Sequence, residues 1–324
     1  MESLAIDFHV HFLDEEVLAL AQSHSVLTNF GANPLLKLQD GWPPLFARMM
    51  SPQLQIEDMA ARGIDRHVLT ASTVISPLGW AEGPRALELN RRLNDLIAGW
   101  VARYPGRFVG SCTLPLQAPD LALGELERAA RELKFPVVNL PANVDGVYLG
   151  EPRFHPLWSA IRELGITAFV HPDGVREPWY QKYAMWNSIG QSIEETRFMT
   201  SMIYEGVLDR IPGLKIVVAH GGGYMPHYMG RLDRNVTDKP ETAKNISRMP
   251  SAYLRDFYYD SCVYDPSTLG ALVARVGADR IVMGSDYPVG DPAPARLLGL
   301  ADELPGDQRG EILGGTAARL LVLR

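Results

Sequence analysis

The chain has 324 residues, 46% of them hydrophobic and 21% charged, with a net charge of -7. That is enough apolar material for a sizeable core, and the acidic balance excludes the basic face expected of a nucleic-acid binder. No apolar run reaches the ~18 residues that span a bilayer, the N-terminus lacks a leader pattern, and Cys112 and Cys262 lie far apart, so a soluble cytoplasmic protein with free thiols is expected.

The first element is an apolar run, Leu4-Ala5-Ile6, leading into Asp7-Phe8-His9-Val10-His11. Alternate side chains of a strand share a face, so the two imidazoles project together and form half of a metal site. Residues 12 to 58 hold Asn29-Phe30-Gly31 and Gly41-Trp42-Pro43-Pro44 and read as an irregular functional loop or small insertion. From Ser51, a plausible N-cap, the spacing of Ile56, Met59 and Ala60 predicts a helix that stops at Gly63. His67-Val68-Leu69-Thr70 is the next strand. The alternation then repeats. Helices are expected near 84–103, 119–133, 154–164, 189–210 and 266–276. Strands are expected near 110, 138, 168, 217, 258 and 282, and helices near 293–303 and 306–322 close the chain.

Eight strands alternating with helices predict an α/β fold, a (β/α)8 TIM barrel formed by one domain over residues 1–324, with 12–58 as a loop region at its mouth. An open doubly wound sheet is the alternative, but its Gly-rich first turn is replaced here by His-Val-His. On the barrel, His9 and His11 end strand one, His171 ends strand five, His220 follows strand six, and Asp286 ends strand eight. Each taken singly reads as well as a hydrogen-bonded core residue or a loop cap. Together they share the C-terminal mouth, where barrel enzymes build their sites, and three imidazoles with a carboxylate suit a divalent metal.

The set His9-Val10-His11, His171-Pro172-Asp173, Ala219-His220-Gly221-Gly222-Gly223 and Gly284-Ser285-Asp286-Tyr287-Pro288 resembles the amidohydrolase superfamily. The resemblance is to the branch of aminocarboxymuconate-semialdehyde, resorcylate and carboxyvanillate decarboxylases. Arg210-Ile211-Pro212 and Gly230-Arg231-Leu232-Asp233 extend it over most of the chain, from Ile6 to Leu321. It implies one divalent metal, zinc or alternatively manganese, held by His9, His11, His171 and Asp286, with water at an open position. Binuclear members carry a carboxylated lysine on strand four; Pro136-Val137-Val138-Asn139-Leu140 has none, so one metal is expected.

The resemblance further implies that His220 is the acid/base rather than a ligand, and that Asp286 doubles as proton donor. Arg231 would cross into the neighbouring subunit of a homodimer to bind the substrate carboxylate, a task that suits a guanidinium; a solvated helix arginine is the other reading. The branch's second substrate-binding arginine aligns with Pro43, leaving Arg48 as the nearest guanidinium. Trp42, Phe46, Trp179, Tyr180 and Trp186 are placed to stack on a planar ring, or to pack a lid or dimer contact. Gly221 to Gly223 either present N–H groups to an anion or make a tight turn. The expected activity is metal-dependent, non-oxidative decarboxylation of an aromatic or ring-cleavage carboxylic acid. Metal-dependent hydrolysis on the same scaffold is the alternative, and the ligand set does not separate the two. The partner is a small-molecule carboxylic acid, with neither nucleic acid nor membrane.

Overall fold

Strand β1 (Ile6–Phe12) is buried along all seven residues, as a strand must be when helices cover one side of its sheet and a filled barrel the other. The structure, a computed structural model, describes residues 4–23, 42–73, 80–175, 177–289 and 303–323. Beside β1 lie β2 (Arg66–Ala71), β3 (Phe108–Cys112) and β4 (Val137–Leu140), and a two-stranded hairpin of β5 (Asn143–Val144) and β6 (Val147–Tyr148) follows. The main sheet continues with β7 (Thr167–Val170), β8 (Lys215–Val218), β9 (Tyr258–Asp260) and β10 (Ile281–Val282). All eight strands pair in parallel, in chain order. The Phe8 N–H donates to the Met283 carbonyl at 2.9 Å and the His11 N–H to the Tyr287 carbonyl at 2.8 Å, which closes the barrel from β10 back to β1.

The pairing of β1 with β2 slips between Asp7 and Val10. Ile6 and Phe8 pack in the barrel interior with Val68, Val109, Val137, Phe169 and Val217. Val10 and Phe12, which simple alternation would put on the same face, pack instead in the outer layer under the helices. Phe8 and His9, neighbours in sequence, both touch the ring of Phe169, at centroid distances of 5.9 and 5.1 Å. An irregularity of this kind re-aims side chains next to a site. Here it exchanges an apolar plug for a histidine pair within one strand.

The opposite end of the barrel is stopped by the C-terminal segment. Ala317, Leu320 and Leu321 join the interior cluster of Ile6 and Phe8. That leaves the histidine end as the open one. The expected terminal helix is three abutting turns, Gly306–Gly310, a π-helical Glu311–Gly315, and Thr316–Leu320. The helix expected over 293–303 falls almost wholly outside the described residues.

Elsewhere the expected helices are present, and two further differences stand out. The stretch 12–58 is not irregular where it is described: α1 (Glu15–Ser23) and α2 (Trp42–Met50) form there before α3 (Pro52–Arg62). Leu13, Leu18, Ala21, Phe46 and Met49 make a small core between them, which prolines at the start of α2 do not prevent. Ser51 caps α3 by accepting from the Leu54 N–H, as its type predicts. The helix expected over 189–210 is broken at Gly206, which has φ 73 and where a side chain would strike the Asn245 carbonyl. It becomes Gly190–Tyr204 and Val207–Arg210.

His67, in β2, is a buried neutral imidazole. Its Nδ1 lies 3.0 Å from Gln55 Oε1 and its ring 5.1 Å from that of Tyr287. Burial, with Arg62 and Arg107 nearby, pushes its pKa down from 6.5 to about 3. The unfolded chain takes up this proton below pH 6.5 and the fold only near 3, so stability present above 6.5 is lost as the pH falls through that window. Thermal melts should show the wild type losing about 4 kcal/mol more than His67→Gln between these limits. Equal losses would remove His67 from the acid sensitivity.

Candidate metal centre

The candidate residues lie in or shortly after strands, His9 and His11 within β1 itself. His171 comes after β7, its N–H held by the Leu140 carbonyl at 2.9 Å, and His220 follows Ala219 at the end of β8. Asp286 stands three residues beyond Met283, where the closing hydrogen bonds join β10 to β1. His9, His11, His171 and Asp286 are all buried. Two of the group are held in the left-handed region by non-glycine backbone, His220 at φ 47 and Asp286 at φ 58. Such strain costs of order 1–3 kcal/mol per residue and persists where the surroundings over-determine it, which is common at functional sites.

The structure brings all five predicted residues together. One ligand atom from each of His9, His171, His220 and Asp286 lies within 4.8 Å of the others. His11 is held against this group, with its Nε2 2.7 Å from Asp286 Oδ1, an oxygen also 3.2 Å from His9 Nε2. The His220 Nε2 is 4.0 Å from Asp286 Oδ2. His9 Nε2, His11 Nδ1 and His171 Nε2 are buried and have no hydrogen-bond partner among the described residues. Each such orphan costs about 1–3 kcal/mol in a folded protein. His9 and His171 each bring an orphan Nε2 to a group that clusters with Asp286, and His11 Nε2 faces the same carboxylate, an arrangement that one divalent cation would satisfy, so the residues present fit a metal. On β4 the polar residue is Asn139, whose amide donates to the Ala71 carbonyl at 2.7 Å. No lysine there supports a second ion.

Partners absent from the sequence reading aim these groups. Asp260, at the end of β9, takes His9 Nδ1 at 2.7 Å, leaving Nε2 directed inward. Its other oxygen accepts the N–H groups of Gly221 and Cys262, each at 3.1 Å. Thr73 Oγ1 lies 3.2 Å from His171 Nδ1 and sets Nε2 free in the same way. Metal-binding histidines are oriented by such second contacts. Asp7 accepts the N–H groups of His9 and Ser285 and the Ser285 hydroxyl, tying β1 to the segment that carries Asp286. On the far side of His220, Glu195 Oε1 is 2.5 Å from Nδ1.

The electrostatics favour a cation. Burial would raise Asp286, but His9, His11 and His220 outweigh it and hold the carboxyl well below its usual range. Burial holds His171 well below its ordinary value, helped by the neighbouring imidazoles, and lowers His11 as well, so both offer lone pairs. Burial also opposes charge on His9, yet Asp286 and Asp260 raise it to about 9. That proton is the one a metal would displace. Burial pushes Glu195 up to about 7 against the pull of His220; burial would lower His220, but Glu195 and Asp286 outweigh it and hold the imidazole well above its ordinary value.

A cavity of about 460 Å³ opens beside His220 and Asp286, walled in part by Gln191, Tyr224, Tyr228 and Tyr264. The phenol of Tyr264 donates to Asp286 Oδ2 at 3.4 Å. The remaining predicted residues are elsewhere. Arg231 is exposed on the helix Met225–Asp238 and does not line the cavity. Arg48 donates to Asp58 at 3.0 Å and to the Pro44 carbonyl at 3.3 Å, so its guanidinium is already engaged. The side chain of Trp42 lies outside the described residues. Phe46 packs into the small core of α1 and α2, and Trp179 is exposed with its edge against Tyr180. Both cysteines are buried free thiols. No helix among the described residues is long and apolar enough to cross a membrane.

Eight parallel strands closed on themselves, with imidazoles and a carboxylate converging at the C-terminal mouth, define a (β/α)8 barrel of the metal-dependent enzyme class. Comparison with known proteins narrows this: the chain belongs to the amidohydrolase family, which it matches over residues 6–323. It is 31% identical over 333 residues to 2-amino-3-carboxymuconate-6-semialdehyde decarboxylase of Dictyostelium discoideum, covering 99% of this chain and 92% of the relative. Among solved structures it is similar to 5-carboxyvanillate decarboxylase from Sphingomonas paucimobilis, with a TM-score of 0.89, 26% identity and 99% of each chain covered. It is also similar to a dihydroxybenzoic acid decarboxylase from a Polaromonas species, solved with manganese and the inhibitor 2-nitroresorcinol. There the TM-score is 0.86 at 26% identity, with 99% of this chain and 97% of that one covered.

Proposed function

We propose that the protein is a metal-dependent, non-oxidative decarboxylase of an aromatic or ring-cleavage carboxylic acid. The observation that carries the reading is the nearly full-length likeness to named decarboxylases in a chain whose mouth keeps the five residues their chemistry would use. His9, His11, His171 and Asp286 would hold one divalent ion. Zinc is our assignment from the imidazole-rich donor set, and manganese, bound in the Polaromonas relative, is the alternative. When bound, the metal supplies a Lewis acid that draws in the substrate carboxylate and a neighbouring oxygen.

The chain's own residues then move protons. A proton passes from His220, directly or relayed through Asp286, to the carbon bearing the carboxylate; the carbon–carbon bond breaks, its electron pair stays with the conjugated system, and CO2 leaves. The 4.0 Å between His220 Nε2 and Asp286 Oδ2 is short enough for the two to share that task through the substrate or a water. The tyrosines of the cavity offer flat apolar faces to a ring. A cytoplasmic homodimer belongs to the same proposal. Arg231, exposed on its own chain, would complete the neighbour's site, and a monomer in sedimentation would withdraw that role.

The deciding experiment is CO2 release from a panel of hydroxybenzoates and muconate semialdehydes, run alongside metal analysis. Turnover of at least one panel member with about one divalent ion per chain is expected. A silent panel together with ester, lactone or carbon–carbon hydrolysis would replace the decarboxylase with a hydrolase. Two ions per chain would replace the mononuclear site.

A further inference from the structure

Glu195 has no place in the chemistry above. It is fully buried on the inner face of the helix Gly190–Tyr204, on the side that also carries Phe198, Met199 and Met202. A carboxylate in such surroundings is costly unless paired. Its Oε1 has one partner, His220 Nδ1 at 2.5 Å, and its Oε2 has none among the described residues. Two further features keep this pair together. His220 sits at φ 47, a left-handed conformation that its surroundings must hold, with Nδ1 against the helix. Residue 223 carries no side chain: a Cβ at Gly223 would stand 2.9 Å from Glu195 Oε2 and 2.3 Å from the Ser192 carbonyl. The third glycine after His220 therefore makes room for the helix that delivers the carboxylate.

We propose that Glu195 is the positioning residue of His220, accepting its Nδ1 proton and so fixing the tautomer and ring direction that present Nε2 to the cavity beside Asp286. The role rests on His220 being the acid/base group of the proposed reaction. It is the arrangement in which a buried carboxylate orients an imidazole whose second nitrogen does the chemistry. The same logic operates twice in this site, since Asp260 orients His9 from the opposite side. The outcomes differ: one imidazole is directed at the metal position and the other at the substrate space.

The test combines spectroscopy with kinetics. In the zinc-loaded wild type, proton NMR should show a far-downfield imidazole N–H resonance that is missing from His220→Asn. In Glu195→Gln that resonance should move upfield, and kcat should fall roughly 10–100-fold with KM and metal content unchanged. Glu195→Asp, which keeps the charge, should recover part of kcat. A folded Glu195→Gln with unchanged kcat, or with its loss confined to KM or metal content, overturns the proposal. If that variant does not fold, the wild-type spectrum decides, and the lack of any His220-dependent resonance overturns it equally. The resonance is read without turnover, so finding it in a protein that is silent on the substrate panel supports the pair and rejects only the decarboxylase reading.

Discussion

His220→Asn is expected to keep about one divalent ion per chain and to lose roughly 10²–10⁴-fold in kcat, the range that a lost general acid/base commands. Asparagine is the informative replacement because residue 220 sits at φ 47, a conformation that Asn adopts more readily than most side chains. Alanine would mix a catalytic loss with a backbone penalty. Either change leaves Glu195 buried without the imidazole it pairs with, so melting should also fall, by about 1–3 kcal/mol for the orphaned group. The kinetic and stability effects separate by adding the second change: His220→Asn with Glu195→Gln should regain stability without regaining turnover. Metal content is the other discriminator. His220 lies within 4.8 Å of the donor atoms, and a variant that binds no metal would make it a ligand instead of a proton carrier.

The barrel was legible because its signal is repeated. Eight apolar runs at regular spacing carry their own period, and all eight appear as strands. The convergence of the five candidate residues was legible for a related reason: each lies near or just past the C-terminal end of a strand, so topology alone gathers them at one mouth. The slip in β1 was not readable, because period-two alternation over six residues looks the same with or without it, although it decides that His9 and His11 face inward. The orienting partners of His9, His171 and His220 were missed because they sit 251, 98 and 25 residues away in sequence. A signal existed for two of them. Asp260 also ends a strand, and Glu195 falls four residues before Met199 on a buried helix stripe, where a charged residue needs a reason. Arg48 shows the converse limit. Proximity in sequence to the expected arginine position said nothing of Asp58, which already engages it. The helix of residues 42–50 was hidden by its prolines and aromatics, whose low intrinsic preference is outweighed by the small core it helps to bury, whereas Glu15–Ser23 has neither and carries an ordinary helical pattern that the sequence reading passed over.

Asp286→Asn should abolish more activity than it abolishes metal binding. The substitution keeps the shape and tolerates φ 58, so the fold should survive. What it removes is the charge that His9, His11 and His220 all face. Asparagine still offers an oxygen, and three imidazoles remain, so the metal should bind with weakened affinity. Turnover should nonetheless fall by at least about 10³-fold at saturating added metal, because an amide is no proton donor of the right kind in the position 4.0 Å from His220 Nε2. Asp260→Asn supplies the contrast. It leaves the four proposed ligands intact and loosens only the tautomer of His9, so it should weaken metal affinity 10–100-fold and regain most of its kcat when metal is added. Titrating metal into both variants and reading kcat at the plateau separates the roles. Recovery of Asp286→Asn to near wild-type turnover would reduce Asp286 to a ligand and leave His220 as the sole proton donor. Failure of both variants to recover would mean that Asp260 acts on the chemistry as well, through the Gly221 N–H it accepts beside His220.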